Sequence, residues 1–269
     1  MAEDVVLAVG HGSRRPAALV GFHEFADAVA ERIGRPVERC FLERAAPDLE
    51  QGLEIAAERA GQQARRVIVL PMFLGAAGHF KNEISPAVKE ARARFAGVTF
   101  LLASPLGVHA RLVELADMRV QGTLATAASS IPVSETSLLV VGRGSSDAGA
   151  NSEIARLAYL MGQAREYLST GYAFHAVASP GVAQALRLCR LLGARQVVVM
   201  PFLLFTGRVH EEIGAMALQC GGELGLRVHV AGYLGTHTLS LDVAGQRIDE
   251  AAKGIAAINC DLCRYRFAV

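Results

Sequence analysis

Three residues in the first half of the chain could share one divalent metal ion. His11, Glu43 and His79 offer two imidazole nitrogens and one carboxylate, a set that suits cobalt, iron, nickel or zinc. Three protein ligands leave at least one coordination position open, which is typical of catalytic sites rather than structural ones. One carboxylate beside two neutral imidazoles leaves a divalent ion with net positive charge, so the ion would be weakly held and available for transfer.

The chain contains an internal repeat, and comparison of its two copies distinguishes these three residues from ordinary polar residues. The first half reads LAVGHGSR, FLERAAPD and VIVLPMFLGAAGHFKNEI, and the second reads LLVVGRGSS, HAVASPG and VVVMPFLLFTGRVHEEI. If these three residues served folding, both copies should retain them. Their joint loss from the second copy instead predicts one functional site, in the first copy only. The aligned pairs are His11 with Arg143, Glu43 with Ala176, and His79 with Arg208.

Several cations flank the proposed site in the sequence, and four arginines among them are predicted to bind substrate, because arginine binds carboxylates in a bidentate manner. Most surface arginines are only solvated, yet two of these occupy the positions of the lost histidines. If the two halves face each other across a cleft, a metal ion on one wall and cations on the other would fit a flat, polycarboxylated chelator. These arginines are Arg14 and Arg44 in the first half and Arg143 and Arg208 in the second.

Short apolar runs alternate with longer segments of helical spacing along both halves. Apolar runs of this kind are typical of strands covered on both faces, and strand–helix alternation predicts parallel sheets. The predicted fold is therefore α/β, with two tandem, similar, flavodoxin-like domains, each a four-stranded parallel sheet flanked by helices. Strands are predicted at 5–9, 37–42, 67–71, 98–103, 138–141, 172–177, 197–201 and 228–233, and helices of the first half at 17–33, 49–61, 84–95 and 110–127.

The segment 127–135 is rich in small residues and contains a proline, so it is the predicted linker. It divides the chain into a domain at 1–132, which carries the metal site, and a degenerate repeat at 133–269. Ligands of open parallel sheets gather beyond the carboxyl ends of the strands. The three proposed metal ligands each follow a strand, so we expect them to converge on one edge of the first sheet.

The composition and net charge of the chain limit the kinds of function it can have. Of 269 residues, 52% are hydrophobic and 20% charged, and the net charge is +1, which favours neither nucleic acid nor an anionic membrane as a partner. No apolar run approaches the roughly 18 to 20 residues needed to cross a bilayer. The start of the chain lacks the pattern of an export signal, and five irregularly spaced cysteines fit a reducing, cytoplasmic compartment.

Other histidines and the glycine loop support weaker interpretations. His109 and His237 match between the copies and stand where a helix begins, which predicts capping or packing. His175 and His210 have no matching histidine in the first copy and are interpreted as incidental. The G-H-G-S-R loop lacks both the Walker lysine and a G-x-G-x-x-G pattern, so nucleotide binding is disfavoured.

Four motifs together resemble the class II tetrapyrrole chelatases, of the CbiX/SirB sirohydrochlorin chelatase type in its long two-domain form. The resemblance implies ATP-independent insertion of Co²⁺ or Fe²⁺ into sirohydrochlorin, an octacarboxylate. It places His11, Glu43 and His79 at metal-binding and catalytic positions. It also places Glu83 at an acidic position, four residues after His79, where it could orient that histidine or relay metal. The motifs are V-G-H-G-S-R at 9–14, F-L-E-x-A-x-P at 41–47, P-x-F-L-x(4)-H-x-x-x-E-I at 71–84 and P-L-G-x-H at 105–109.

The end of the chain carries a C-x-x-C pair, Cys260 and Cys263. It resembles the tail that some long-form members use for an iron–sulfur cluster, with Ile258 in place of a methionine. Two thiolates do not complete the usual four-cysteine shell, so a cluster would require a second subunit or outside ligands.

The leading hypothesis is a sirohydrochlorin cobaltochelatase of cobalamin biosynthesis, and the first alternative is the ferrochelatase of siroheme synthesis. A carrier of tetrapyrrole or metal would bind without forming a metallated product. A hinged sugar- or amino-acid-binding protein would normally carry an export signal. The fused repeat could replace the homodimer expected of a half-length relative, so both monomer and homodimer remain open.

Overall fold

The fold is given by a computed structural model that describes residues 4–14, 16–63, 65–76, 78 and 80–256. It contains two four-stranded parallel sheets flanked by helices, with strand orders β2-β1-β3-β4 and β6-β5-β7-β8. The predicted fold class is confirmed. None of the helices within the described residues is both long and apolar enough to span a membrane.

The elements alternate strand and helix throughout. The strands are β1 (Val5–Gly10), β2 (Val37–Phe41), β3 (Arg66–Pro71), β4 (Thr99–Leu102), β5 (Thr136–Gly142), β6 (Ser169–Phe174), β7 (Gln196–Pro201) and β8 (Arg227–Val230). The helices are α1 (Pro16–Ile33), α2 (Leu49–Gln63), α3 (Ser85–Arg94), α4 (Ala110–Thr126), α5 (Ala148–Gly162), α6 (Val182–Leu191), α7 (Arg208–Glu223) and α8 (Thr238–Ala252).

The inner strands of the first sheet bring the proposed site to one edge. Every residue of β1 is buried, as expected for a strand that is paired on both sides and covered on both faces. The register pairs Gly10 with Phe41 and Val9 with Pro71, so β1, β2 and β3 end nearly level. The residues after these strands therefore emerge at the same edge, which is where His11 and Glu43 lie.

The chain folds into two compact units that exchange their last helices. One unit comprises Met1–Gly107 and Thr236–Val269, and the other comprises Val108–Gly235. Accordingly α8 packs against α1, β3 and β4, while α4 packs against α5, β7 and β8. The repeat in the sequence predicted a division at residue 132, but the compact units place α4 with the second sheet and α8 with the first.

The chain has the same local structure at the two places where it passes from one unit to the other, after Gly107 and after Gly235. Gly107 and Gly235 have φ angles of 69° and 66°, a conformation that glycine adopts without steric penalty. Two residues later, Nδ1 of His109 accepts a hydrogen bond from the Arg111 amide, and His237 does the same for Leu239, both at 3.2 Å. The predicted capping role of these histidines is confirmed, and each caps an exchanged helix.

Polar contacts fix each exchanged helix to its unit. In the first unit, the Arg247 guanidinium donates to the Leu106 carbonyl at 3.1 Å, and Arg32 pairs with Asp242. In the second unit, Arg165 holds Asp117 through two hydrogen bonds, of 3.1 and 2.8 Å. The exchange is therefore specified by side chains as well as by apolar burial.

We predict that Ile248→Ala will loosen the first sheet although residue 248 belongs to the second repeat. Ile248 is fully buried on α8, and truncating such a side chain costs about 2–5 kcal/mol. Hydrogen exchange should show faster exchange in β3 and β4, the strands that contact α8, whereas Val120→Ala on α4 should affect β7 and β8. The exposed Ile255→Ala serves as control. Faster exchange confined to β5–β8 in Ile248→Ala would contradict the helix exchange.

Candidate metal and tetrapyrrole site

The imidazole of His11 is half-buried at the end of β1. Its ring meets the ring of Phe73 edge-on, with centroids 4.7 Å apart and an interplanar angle of 61°. Phe73 follows β3, so a neighbouring strand helps to orient the imidazole. No role is predicted for Phe73 from the sequence, although its counterpart in the second copy is Leu203. The second copy lacks both this aromatic ring and the histidine, and this joint loss is the sequence signal that could have identified Phe73.

A backbone contact brings the loops after β1 and β2 together. The Glu43 amide donates to the His11 carbonyl at 3.0 Å, and the Leu42 amide donates to the Gly10 carbonyl at 3.0 Å. Gly12, the residue after His11, has φ 86°, and a Cβ atom built there would lie 1.8 Å from the Glu43 carbonyl oxygen. Only glycine permits this approach, which sets His11 beside Glu43.

The second unit reproduces this backbone arrangement without the ligands. The Ala176 amide donates to the Arg143 carbonyl at 3.0 Å. Gly144 has φ 87°, and a Cβ there would lie 1.8 Å from the Ala176 carbonyl oxygen. The backbone thus forms equally well around His11 and Glu43 or around Arg143 and Ala176. Folding of this edge does not require the imidazole or the carboxylate.

Glu43 carries its charge near the surface beside a cation. Its carboxylate lies 3.2 Å from Nε of Arg44, and the two side chains are 44% and 58% exposed. An exposed ion pair of this kind contributes only about 0–1 kcal/mol, so the carboxylate can exchange its partner at little cost. In this structure Arg44, for which binding of substrate carboxylates is predicted, lies beside Glu43.

The third predicted ligand, His79, lies outside the described residues. Within the described part of the chain, no group of three His, Cys, Asp or Glu side chains is placed to hold a metal ion. His11 and Glu43 are thus two members of the predicted ligand set, brought to the same edge of one sheet, and the complete set remains a prediction.

The segment that carries Glu83 is a π-helical turn, Phe80–Ile84, which runs directly into α3. Pro86 explains the wider turn, because proline lacks an amide hydrogen and its ring clashes with the carbonyl four residues earlier, that of Asn82. In the second copy Ala215 replaces Pro86, and α7 is α-helical across the matching residues. Glu83 is exposed on this turn, and its proposed relation to His79 stays a prediction. Single π-turns are frequent at functional sites.

The matching acidic residue of the second unit, Glu212, joins two partners. Arg208 Nε donates to its carboxylate at 2.6 Å, and His175 Nε2 lies 2.9 Å from the other carboxylate oxygen. The hydrogen bond from Arg208 holds the pKa of the Glu212 carboxyl below its ordinary value, and His175 adds to this. Arg208, predicted to bind substrate, is therefore paired, and the interpretation of His175 as incidental misses its contact with Glu212.

The other two predicted substrate-binding arginines are exposed in equivalent loops. Arg14 follows β1 by four residues, and Arg143 follows β5 directly. Neither makes an ion pair with any residue that the structure describes. Their guanidinium groups are therefore available to a carboxylate ligand.

The cysteines do not form a cluster site in the described residues. Cys260 and Cys263 lie outside them. Cys40 and Cys189 are buried in the two apolar cores, where burial raises the pKa of each thiol, and Cys220 on α7 is partly buried. Neutral thiols in apolar cores are poor metal ligands, so these cysteines do not fit the four-cysteine shell that a cluster needs.

Comparison with known proteins agrees with the repeat and with the fold. Residues 5–123 and 137–251 each match the sequence model of CbiX. A sirohydrochlorin cobaltochelatase of Priestia megaterium is 32% identical over 98% of this chain and 85% of the relative. A sirohydrochlorin ferrochelatase of the same organism is 32% identical over 87% of this chain and 85% of the relative. The structure of SirB from Bacillus subtilis with Fe³⁺ superposes with a TM-score of 0.79 at 23% identity, covering 96% of this chain and 100% of that one.

We predict that Gly12→Ala and Gly144→Ala will destabilise the protein to a similar extent. Each forces an alanine into a positive φ against a carbonyl oxygen, with a cost on the order of 1–3 kcal/mol or more. Thermal unfolding measures this cost. Calorimetric titration with Co²⁺ should show weakened binding in Gly12→Ala only, because only that loop carries His11. Equal Co²⁺ affinity in the two variants would contradict the placement of the metal site.

Proposed function

This chain belongs to the CbiX family, and we propose that it inserts Co²⁺ into sirohydrochlorin without ATP, as a cobaltochelatase of cobalamin biosynthesis. The observation that carries the proposal is the pair His11 and Glu43 on a backbone arrangement that the second unit keeps without them. Its support from relatives is the cobaltochelatase that matches almost the whole chain. The cysteine pattern leads us to place the reaction in the cytoplasm.

His11, Glu43 and His79 would receive the metal substrate. Two imidazoles and one carboxylate bind borderline divalent ions, and the low ligand charge keeps the ion weakly held. Phe73 restricts the orientation of the His11 ring, which limits the conformational entropy lost when the ion binds. Glu83, on the π-turn, would orient His79 or pass the ion towards it.

Arginines would bind the carboxylates of the tetrapyrrole. Arg14 and Arg143 make no ion pair with described residues and can bind a carboxylate directly. Arg44 is released when the metal ion takes its place beside Glu43, so metal binding would prepare it for the substrate. Arg208 must exchange Glu212 for a substrate carboxylate.

Insertion requires two pyrrole N–H protons to leave as the ion enters the ring. In the proposed reaction His11, Glu43, His79 or a nearby water accepts them. The pyrrole nitrogens replace the protein ligands one after another, and the open coordination position allows the first replacement. No covalent intermediate and no nucleotide is needed.

Insertion of Fe²⁺ is the second candidate reaction. The ferrochelatase of Priestia megaterium has the same percentage identity to this chain as the cobaltochelatase, although over a smaller part of it. Histidine and carboxylate ligands accept both ions, and availability often decides between them.

We expect His11→Ala and Glu43→Ala each to reduce insertion by about 100-fold or more, since each removes a metal ligand and a proton acceptor. Glu43→Ala installs the residue that the second copy carries at the matching position, so the fold should persist. A spectrophotometric assay with sirohydrochlorin and Co²⁺, Fe²⁺ or Ni²⁺ provides the measurement.

Glu58→Ala, on the exposed surface of α2, is the control for loss of one carboxylate. Full activity in both ligand variants would contradict the assignment of the site. Binding of sirohydrochlorin by the wild-type protein with no rate above the spontaneous reaction would indicate a carrier.

Glu212→Gln should strengthen substrate binding if Arg208 holds a tetrapyrrole carboxylate. The substitution keeps the shape of the side chain but removes the negative charge that occupies Arg208. We expect a lower KM with little change in kcat, and a higher KM in Arg208→Ala. Identical KM values for these variants and the wild type would exclude Arg208 from the substrate site.

A further inference from the structure

The edge strand of the first sheet, β2, is bordered by ion pairs. Glu38 on the strand pairs with Arg59 on α2, and Arg39 on the strand pairs with Asp27 on α1. Charged side chains beside an edge strand hinder its pairing with a strand of another molecule. The open edge of the first unit is therefore protected on both faces of the sheet.

The edge strand of the second sheet, β6, has lost all four of these charges. The register aligns the two strands, because Glu38 and Arg39 pair with Leu7 and Ala8 of β1 as Gly171 and Tyr172 pair with Leu139 and Val140 of β5. The spacing from Gly10 and Gly142 aligns α1 with α5, and the spacing from Pro47 and Pro180 aligns α2 with α6. The replacements are Glu38 by Gly171, Arg39 by Tyr172, Asp27 by Tyr159 and Arg59 by Leu192.

Exposed apolar side chains now border this strand on both sides. We call Tyr159, Tyr172, Leu188, Leu191 and Leu192 the β6 border. Tyr159 and Leu191 are 67% and 84% exposed, and Leu188 and Leu192 both exceed half exposure. Leu188, Leu191 and Leu192 are spaced i, i+3 and i+4, so they lie on one side of the end of α6.

The β6 border extends over both faces of the second sheet. Both α5 and α6 pack against β6. Gly162 of α5 approaches the Thr170 side chain, whereas Ala173 belongs to the core that includes α6. Residues 170 and 173 point to opposite faces of a strand, so the two helices cover opposite faces. Apolar groups therefore lie above, beside and below one open strand edge.

We propose that a second copy of this chain docks on the β6 border, with the two β6 strands antiparallel across a two-fold axis. Such a contact joins the two second sheets into one continuous eight-stranded sheet. Two-fold homodimers are by far the commonest soluble oligomers, and their contact patch must be complementary to itself. The five side chains of the β6 border are themselves uncharged, so they can meet their own copies without bringing like charges together.

The extent of the β6 border favours a second copy of the chain over a single added peptide strand as its partner. An added peptide strand would cover the strand edge but leave the leucines of α6 and Tyr159 of α5 exposed. A second copy brings its own α5 and α6 to the same two faces, so apolar side chains meet on both. Tyrosine is also enriched at the cores of protein interfaces. This inference does not depend on the proposed reaction.

The first unit supplies the substitutions that test the proposal. Tyr159→Asp with Tyr172→Arg transfers the Asp27–Arg39 pair to the second unit, where the matching backbone should accommodate it. Sedimentation equilibrium of the full chain should give twice 28.5 kDa for the wild type and 28.5 kDa for the double variant. Leu218→Asp, which removes an exposed leucine of α7 outside the border, should leave the dimer intact.

Hydrogen exchange locates the contact independently of any substitution. The amides of β6 should exchange more slowly as the wild-type concentration rises, and those of the protected edge strand β2 should not change. A wild-type mass of 28.5 kDa at all concentrations would overturn the proposal. So would a folded double variant that stays dimeric, or a dimer whose β6 amides exchange independently of concentration.

Discussion

The hydrogen bond from the Glu43 amide to the His11 carbonyl is the contact on which the candidate site depends. It forms because Gly12 has no side chain where the Glu43 carbonyl passes, and because β1 and β2 end level. The second unit makes the same contact between Ala176 and Arg143. The arrangement therefore belongs to the fold, whereas the metal-binding chemistry belongs to the side chains placed on it. This separation is why loss of the ligands from one copy points to function.

The duplicated unit has diverged in two places on the same scaffold. At the carboxyl edge, the first copy keeps imidazole and carboxylate, and the second has arginines with Glu212 held between Arg208 and His175. At the outer strand, the first copy keeps paired charges and the second exposes tyrosine and leucine. The exchange of α4 and α8 makes each sheet depend on a helix from the other repeat. The copies have thus become specialised while remaining dependent on each other for folding.

Sequence reasoning predicted the parallel sheets because inner strands such as β1 and β3 are continuous apolar runs. It placed β6 at 172–177 instead of Ser169–Phe174, because Ser169, Thr170 and Gly171 are not apolar and an edge strand need not be. The helix exchange was not predictable, since α4 and α8 carry the same amphipathic pattern and either sheet could accept either helix. The π-turn had a visible cause in Pro86, but the pattern of the neighbouring residues indicated only a helix. The contact of His175 with Glu212 had no counterpart in the first copy to reveal it.

X-ray absorption spectroscopy of the Co²⁺-loaded full chain would show directly which side chains hold the ion. We expect a shell of nitrogen and oxygen ligands with the scattering pattern of two imidazoles, reduced to one in His11→Ala. An unchanged spectrum in both His11→Ala and Glu43→Ala, or a shell dominated by sulfur, would contradict this expectation.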